Sequence, residues 1–224
     1  SITGGTSGAN QTSITGALTN VSNSIQTATY TVTPSTNGCT GLPFDLVVTV
    51  NPTPTALSLT NQIYCNGVLT PITTLSNAVL GTTYTWTNSN VVIGLPANGV
   101  GDIPSFTATN TTNSPITATL SVIATANGCS KPAEIFTITV NPSPVVTFSA
   151  APQTICSGDT SAITTLTSST SGVTFSWTAT QAAGITGVLT SGTITIPAQT
   201  LTNTTAVPIT VTYIAEATTP GTSA

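Results

Sequence analysis

A tandem repeat with a period of about 90 residues runs through the chain. Four motifs return in the same order, shifted by 90 or 91 residues. They are the Val-Asn-Pro-x-Pro boundary (50–54 and 140–144), the Asn-Gly-Cys turn (37–39 and 127–129), a cysteine segment (64–67 and 155–158) and a tryptophan strand (83–87 and 174–178). Such ordered recurrence indicates that each copy is one folding unit, so the fold has to be built from repeated modules.

The motifs divide the 224 residues into three parts, hereafter the first, second and third modules. Residues 1–50 are the second half of one copy, residues 51–140 are a complete copy, and residues 141–224 are a third copy that lacks its last strand. The connectors read Asn-Pro-Thr-Pro and Asn-Pro-Ser-Pro, and their prolines restrict the backbone, which predicts stiff joints. Modules joined in series by stiff joints predict a rod.

Each copy has the alternating pattern of half-buried strands. In residues 83–87 the aromatic side chains of Tyr84 and Trp86 share one face and threonine hydroxyls share the other. Residues 116–122 and 136–140 alternate in the same way, and short strands separated by Asn-Gly turns predict a sandwich of about seven strands. The predicted fold class is all-β, with tandem immunoglobulin-like modules and with Trp86 and Trp177 at matching core positions.

Charged residues are almost absent: the chain has one Lys or Arg, five Asp or Glu, and no His. Without His, the Ser-His-Asp and Cys-His nucleophile systems and most metal hydrolase sites are excluded. A carboxylate pair for glycoside cleavage would have to come from five acids spread over the three modules. These are Asp45, Asp102, Glu134, Asp159 and Glu216. Nothing in the sequence brings even Asp102 and Glu134 together, so we predict solvated acids, no enzyme and no cofactor.

The same composition limits the partners. One cation cannot neutralise a phosphate backbone, which excludes nucleic acid, and no apolar run reaches the roughly 20 residues that span a bilayer. The polar stretch that begins at Ser1 does not read as a signal peptide. Hydrophobic residues still make up 38% of the chain, so a folded protein whose outward faces are solvated by threonine is expected.

The order Cys65, Trp86, Cys129 in the complete copy is similar to the Cys, Trp, Cys order of immunoglobulin domains. We expect a Cys65–Cys129 disulfide that ties the end loops of the module; the alternative is two free buried thiols. Cys39 and Cys156 would then be unpaired within these residues, with partners outside them.

The sequence gives little support for a metal site or a modification site. The cysteines lack zinc-site spacing, and the connectors carry no carboxylates for calcium, so we predict no metal site. A Lys131 isopeptide crosslink assisted by Glu134 cannot serve every module, since the chain has one lysine. The sequons at Asn10, Asn20, Asn110 and Asn203 are expected by chance in a chain rich in Asn and Thr, and O-glycosylation stays open.

Taken together, the Val-Asn-Pro-x-Pro boundary, the Cys-Ser-Gly segment at 156–158, the Thr-x-x-Trp-Thr strand and the Asn-Gly-Cys turn before Phe-Thr-Ile-Thr-Val carry a family resemblance. The chain resembles the tandem PKD-like or Ig-like repeats of large cell-surface adhesins of the SprB type in gliding Bacteroidetes. That resemblance implies an extracellular filament at the outer-membrane surface, exported by type IX secretion and used in adhesion and gliding motility.

Three functions follow as hypotheses. The first is a structural stalk whose partners are neighbouring repeats, with surface polysaccharide or the secretion and motility machinery as further partners. The alternative is a polysaccharide-binding module of a secreted multidomain protein, which would need exposed aromatic side chains. Ice binding by threonine rows is a third, but the Thr-x-Thr runs are short and irregular.

Overall fold

The computed structural model describes residues 1–150 and 152–219, and within them the only helical element is one short 3-10 turn. The strands of the first module are β1 (Ile2–Thr3), β2 (Thr19–Asn20), β3 (Gln26–Val32), β4 (Ser35–Thr36), β5 (Cys39–Thr40) and β6 (Phe44–Val50). β3 and β6 form an antiparallel hairpin, and β4 and β5 extend it. At its tip Asn37 and Gly38 have φ of +46° and +80°, as expected for an Asn-Gly hairpin turn.

The second module contains the most extensive sheet. Its elements are β7 (Gln62–Cys65), β8 (Thr83–Asn88), the 3-10 turn η1 (Val91–Ile93), β9 (Asn98–Val100), β10 (Ile116–Ala126), β11 (Cys129–Ser130) and β12 (Glu134–Asn141). The sheet order is β7-β12-β10-β8-β9, with β11 paired to β10. β12 runs antiparallel to β10 and parallel to β7, so it is hydrogen-bonded on both edges. Bridges from Leu69 to Thr107 and from Thr73 to Ile103 lie outside this sheet, in the facing layer.

A single core lies between the two layers of the second module. Trp86 is 3% exposed and is paired across the strands with Val122, while Leu120, Ile138 and Val140 are fully buried. The tryptophan ring lies against the backbone of β9, where a Cβ on Gly99 would come within 2.2 Å of it. Only glycine allows that close approach, so the large ring and the small residue are a matched pair.

The third module repeats this plan with shorter strands. They are β13 (Thr147–Phe148), β14 (Thr164–Thr167), β15 (Thr174–Thr180), β16 (Ile185–Thr186), β17 (Ser191–Gly192), β18 (Thr195–Ile196), β19 (Thr202–Asn203) and β20 (Thr212–Thr218). β15 pairs with β17 and β20, as β8 pairs with β9 and β10. Trp177 is 2% exposed, and its ring contacts Gly192 as Trp86 contacts Gly99.

The all-β class and the repeated immunoglobulin-type sandwich predicted from the sequence are confirmed by these strands and sheets. Each sheet of the described residues lies within one of the three modules, apart from Asn141 at the end of β12. The boundaries at 50/51 and 140/141 themselves stay predictions.

Candidate functional site: the joints between modules

The carboxylates of the second module serve the backbone. Asp102 accepts a hydrogen bond of 2.8 Å from the amide of Leu75, and its negative charge adds to burial in raising the pKa of Tyr84. Glu134 accepts one of 2.6 Å from the amide of Leu57. Each acid therefore fixes a different loop against the sandwich, and the geometry gives no acid–base pair between them.

Lys131 and Glu134 form an ion pair of 3.0 Å, with side chains that are 27% and 24% exposed. Burial opposes ionisation of Glu134, but the hydrogen bonds from Lys131 and from the Leu57 amide, with the lysine charge, outweigh it and hold the pKa of this carboxyl below its ordinary value. The pair is a partly exposed surface contact.

The remaining acids are also placed on loops and strand surfaces. Asp45 accepts a hydrogen bond of 2.6 Å from the hydroxyl of Thr31 across the β3–β6 hairpin, and Asp159 accepts one of 3.2 Å from the amide of Cys156. Glu216 lies on an exposed position of β20. Among residues 1–150 and 152–219 no group of three or more His, Cys, Asp or Glu is placed to hold a metal ion. The same residues contain no helix that is long and apolar enough to cross a membrane.

The structure gives no support to the predicted Cys65–Cys129 disulfide. All four cysteines have free thiols, and Cys65 and Cys129 lie at opposite ends of the second module. Cys65 is paired with Asn141 at the end of β12, whereas Cys129 begins β11, which precedes β12 and is paired with the end of β10. The 8 residues of that strand separate the two ends by more than about 20 Å, far beyond the reach of a disulfide.

The two ends of the module are the places where modules meet. Pro52 of the first connector and Pro142 of the second are fully buried. Asn51, just after β6 and the first residue of the connector, donates a hydrogen bond of 2.8 Å from its side chain to the carbonyl of Asn127 in the Asn-Gly turn of the second module. The first connector is thus attached to the second module by a side-chain bond besides its own prolines.

The second connector is held by the module that precedes it. The carbonyl of Asn141 accepts a hydrogen bond of 2.8 Å from the amide of Asn66, and the side chain of Asn66 reaches Ser143 at 3.3 Å. Beside the connector, Pro115 and Pro142 line a cavity of about 170 Å³ together with Ser171, Gly172 and Thr219 of the third module. Loops of the second and third modules therefore approach each other around the joint.

An asparagine clasp lies beside each joint. Asn110 is 2% exposed; its side-chain oxygen accepts hydrogen bonds from the amide and the hydroxyl of Thr112, at 2.9 and 2.7 Å. Its amide nitrogen donates to the carbonyls of Ser114 and Val140, at 2.9 and 2.7 Å. One side chain thereby closes a loop and attaches it to the last core residue before the Asn-Pro connector.

The clasp recurs in all three modules. Asn20 bonds Ser22 and Ser24 in the same way and donates to the carbonyl of Val50 at 2.9 Å. Asn203 bonds Thr205 and Val207, again with its oxygen accepting and its nitrogen donating. The hydroxyl two residues after the asparagine is therefore part of the structure.

Three of the four sequons, those at Asn20, Asn110 and Asn203, coincide with these clasps, so they have a structural role that the sequence analysis did not assign. An asparagine that needs a hydroxyl at the second following position produces the Asn-x-Ser/Thr pattern for a structural reason. Asn10 forms no clasp among the described residues and lies in a loop with φ of +59°. Sequence reasoning missed the clasp, although the ordered recurrence of Asn-x-Ser/Thr at 20, 110 and 203 was the available signal.

Comparison with known families gives one match. The family described as PKD-like domain matches residues 1–54 and 153–223, together more than half of the chain. A comparison with curated proteins finds no match. Domains of this kind are β-sandwich modules that are commonly extracellular and typically non-catalytic. With its sandwich fold and its repeated joints, the chain belongs to the PKD-like domain family.

Proposed function

We propose that the chain is a stalk segment of an extracellular, filamentous cell-surface adhesin. The observation that carries the proposal is the joint: the same Asn-Pro-x-Pro connector occurs twice and is attached by hydrogen bonds to the modules beside it. A joint built this way restricts rotation between modules, and a stalk needs that property over its whole length.

Both sides of a joint contribute to this restriction. On the near side, Asn20 and Asn110 bond the carbonyl of the valine that precedes the Asn-Pro connector, so the strand that leads into the connector is fixed. On the far side, Asn51 of the connector bonds the Asn-Gly turn of the second module. Between them, the prolines remove backbone freedom. Force applied along the chain would therefore pass from one sandwich to the next through a short, ordered connector.

The surface suits a long array of like units. A formal charge of −4 over 224 residues gives little repulsion between neighbouring modules, and threonine on the outward faces of the strands supplies hydration. Neighbouring repeats of the same chain are then the principal partners of each module.

The resemblance to adhesins of gliding Bacteroidetes supports the finer part of the proposal. On that basis the parent filament lies at the cell surface, is exported by type IX secretion, and takes part in adhesion and gliding motility. Antibodies raised against the chain should decorate intact cells of its source, and they should fail to do so when the type IX pathway is disabled. Surface labelling that survives loss of the pathway would remove the export route from the proposal.

Small-angle X-ray scattering tests the stalk directly. An 11-residue strand such as β10 spans about 36 Å, so two and a half modules in line give a particle of roughly 90–100 Å. The expected radius of gyration is near 30 Å, against about 17 Å for a compact globule of this length. A chain with Pro52, Pro54, Pro142 and Pro144 replaced by glycine is the matched control and should scatter as a more variable particle. A compact value for the unmodified chain would contradict the proposal.

The polysaccharide-binding alternative finds no support at the tryptophans. Trp86 and Trp177 are 3% and 2% exposed, so neither ring offers a platform for a sugar.

A further inference from the structure

Asn-Gly pairs occur at 37–38, 66–67, 98–99 and 127–128, and the structure places them in different environments. Such a pair is chemically reactive, because glycine has no Cβ to shield its backbone nitrogen or to restrict its backbone. That nitrogen can attack the side-chain carbonyl carbon of the asparagine before it. The attack requires both groups to move, so the environment of each pair decides whether it reacts.

The pair at Asn66 and Gly67 is held by hydrogen bonds. The side-chain oxygen of Asn66 accepts a bond of 2.8 Å from the amide of Asn110, and its side-chain nitrogen reaches Ser143 at 3.3 Å. The amide of Gly67, which would be the attacking group, donates to the carbonyl of Ala108 at 2.7 Å. Both reacting groups are therefore fixed in place.

The pair at Asn98 and Gly99 is held by the sheet. It lies in β9, where the two residues are paired with Thr87 and Trp86 of β8. The tryptophan ring also lies against Gly99. Paired, extended backbone keeps the glycine nitrogen from turning toward the asparagine side chain.

The other two pairs are at exposed hairpin tips. Asn127 and Gly128, between β10 and β11, have φ of +49° and +80°, nearly the values of Asn37 and Gly38 between β4 and β5. Positive φ at both residues is the pattern of a type I′ turn. Within the described residues the hydrogen bond of Asn127 to Asn51 uses its backbone carbonyl, and its exposed side-chain amide is not bonded. A Cβ on either glycine would meet no atom within 4 Å, so the attacking nitrogen has open space around it.

The connector restrains one of these two turns. Asn51 donates a hydrogen bond of 2.8 Å from its side chain to the backbone carbonyl of Asn127. Ring closure requires rotation about the Cα–C bond of Asn127 to bring the Gly128 nitrogen to the side chain, and the carbonyl oxygen moves with it because both atoms lie in one peptide plane. The reaction therefore breaks the bond from Asn51, and the bond in turn slows the reaction.

We propose that Asn127-Gly128 is a site of spontaneous succinimide and isoaspartate formation whose rate is restrained by Asn51. The Gly128 nitrogen forms a bond to the side-chain carbonyl carbon of Asn127 and gives up its proton, and the bond from that carbon to the amide nitrogen breaks, so that ammonia leaves. Water then opens the ring. Addition of water at the side-chain carbonyl gives aspartate, and addition at the backbone carbonyl gives isoaspartate, in which the main chain runs through the side-chain carbons.

Either product changes the turn that the connector contacts. Both add a negative charge, and in isoaspartate the oxygen that accepted the bond from Asn51 belongs to a free carboxylate outside the main chain. The effects are reciprocal: a formed joint protects the turn, and a modified turn weakens the joint. This inference goes beyond the proposed stalk, because it needs only the contact between the connector and the turn.

Ageing of the full chain at mildly alkaline pH tests the proposal, because base removes the proton of the attacking nitrogen. Digestion with pepsin followed by mass spectrometry measures the loss of the asparagine amide at each pair, and it does not depend on the basic residues that are nearly absent from the chain. Asn37 and Asn127 should be modified at least roughly tenfold faster than Asn66 and Asn98, which react only after local opening.

Two variants test the role of the connector. Asn51→Ala should speed modification at Asn127 by roughly twofold to tenfold, because one hydrogen bond is lost, and should leave the rate at Asn37 unchanged. Asn127→Gly keeps the carbonyl and the turn but removes the reactive side chain. The NMR signals of the Asn51 side-chain amide should change as the chain of unchanged sequence ages and stay constant in Asn127→Gly.

Three results would overturn the proposal. The first is equal modification at all four pairs or none at Asn127. The second is an Asn51→Ala chain in which the ratio of the rates at Asn127 and Asn37 stays the same. The third is a set of Asn51 signals that do not change while Asn127 is modified.

Discussion

The β10–β12 hairpin of the second module and the β3–β6 hairpin of the first have the same register but very different environments. Phe136 faces Leu120 in one and Leu46 faces Tyr30 in the other, yet Phe136 is 3% exposed and Leu46 is 45% exposed. No residue of the first module is among the buried hydrophobic residues. Strand pairing alone therefore does not make a core; the facing layer supplies the burial.

Truncation of the facing side chains should give the largest difference in stability between the two hairpins. Phe136→Ala is expected to destabilise the second module by about 3–5 kcal/mol, because it opens a cavity in a closed core. Leu46→Ala should cost about 1 kcal/mol or less, because much of that side chain already contacts water. Hydrogen exchange followed peptide by peptide measures both opening free energies. Equal losses would mean that the first module has a core of its own.

The asparagine clasp gives the next largest contrast. Asn110→Ala removes the side-chain donor to the buried carbonyl of Val140 and opens the loop that this side chain closes, and it should cost about 2–3 kcal/mol. For Asn203→Ala we expect less than about 1 kcal/mol, because that clasp is more exposed and, among the residues that the structure describes, its nitrogen donates only to Val207. Thermal unfolding of each module, followed by backbone NMR signals, separates the two. A large loss of stability for Asn203→Ala would show that closing the loop is enough to stabilise the module.

Substitution of the glycine beside each tryptophan should destabilise the second and third modules by similar amounts. A Cβ at Gly99 or Gly192 would come within 2.2 or 2.5 Å of the tryptophan ring, so alanine at either position should cost about 1–3 kcal/mol. Gly5→Ala is the control, since its nearest contact would be an ordinary 3.6 Å, and it should be nearly neutral. Denaturation monitored by tryptophan fluorescence provides the measurement. If Gly192→Ala left stability unchanged, the third module would accommodate the added methyl group more easily than the second.

The smallest effect concerns pH. Glu134 has a folded pKa below its ordinary value of 4.5, so its contribution to stability is present above that pH and is lost as the pH falls through the folded pKa. The difference in unfolding free energy between the unmodified chain and Glu134→Gln should shrink by less than about 1 kcal/mol from pH 7 to pH 3. Chemical denaturation at the two pH values measures it. A difference that grows at low pH would contradict the lowered pKa.

Local patterns in the sequence were enough for the fold. The alternation around Tyr84 and Trp86 placed a strand with the correct face inward, and the Asn-Gly pairs at 37–38 and 127–128 placed two hairpin turns. The Asn-Gly pair at 98–99 was also expected in a turn, but it lies in β9. Both signals depend on neighbouring residues only, which is why they could be read without knowing where distant segments lie.

Long-range geometry could not be read in this way. The order of Cys65, Trp86 and Cys129 suggested a bridge, but the pairing of Cys65 with Asn141 places it at the other end of β12. The role of Asn110 depends on Val140, which is 30 residues away. Each of these is a property of the assembled sheet.

The position of Lys131 affects the resistance of the chain to proteolysis outside a cell. It is the one residue of the 224 after which a trypsin-like protease could cut, and the next residue is Pro132, whose tertiary amide such enzymes hydrolyse poorly. Its ammonium is also held by Glu134 at 3.0 Å, away from a specificity pocket. A filament assembled from such modules would offer this class of digestive enzyme almost no bond to attack.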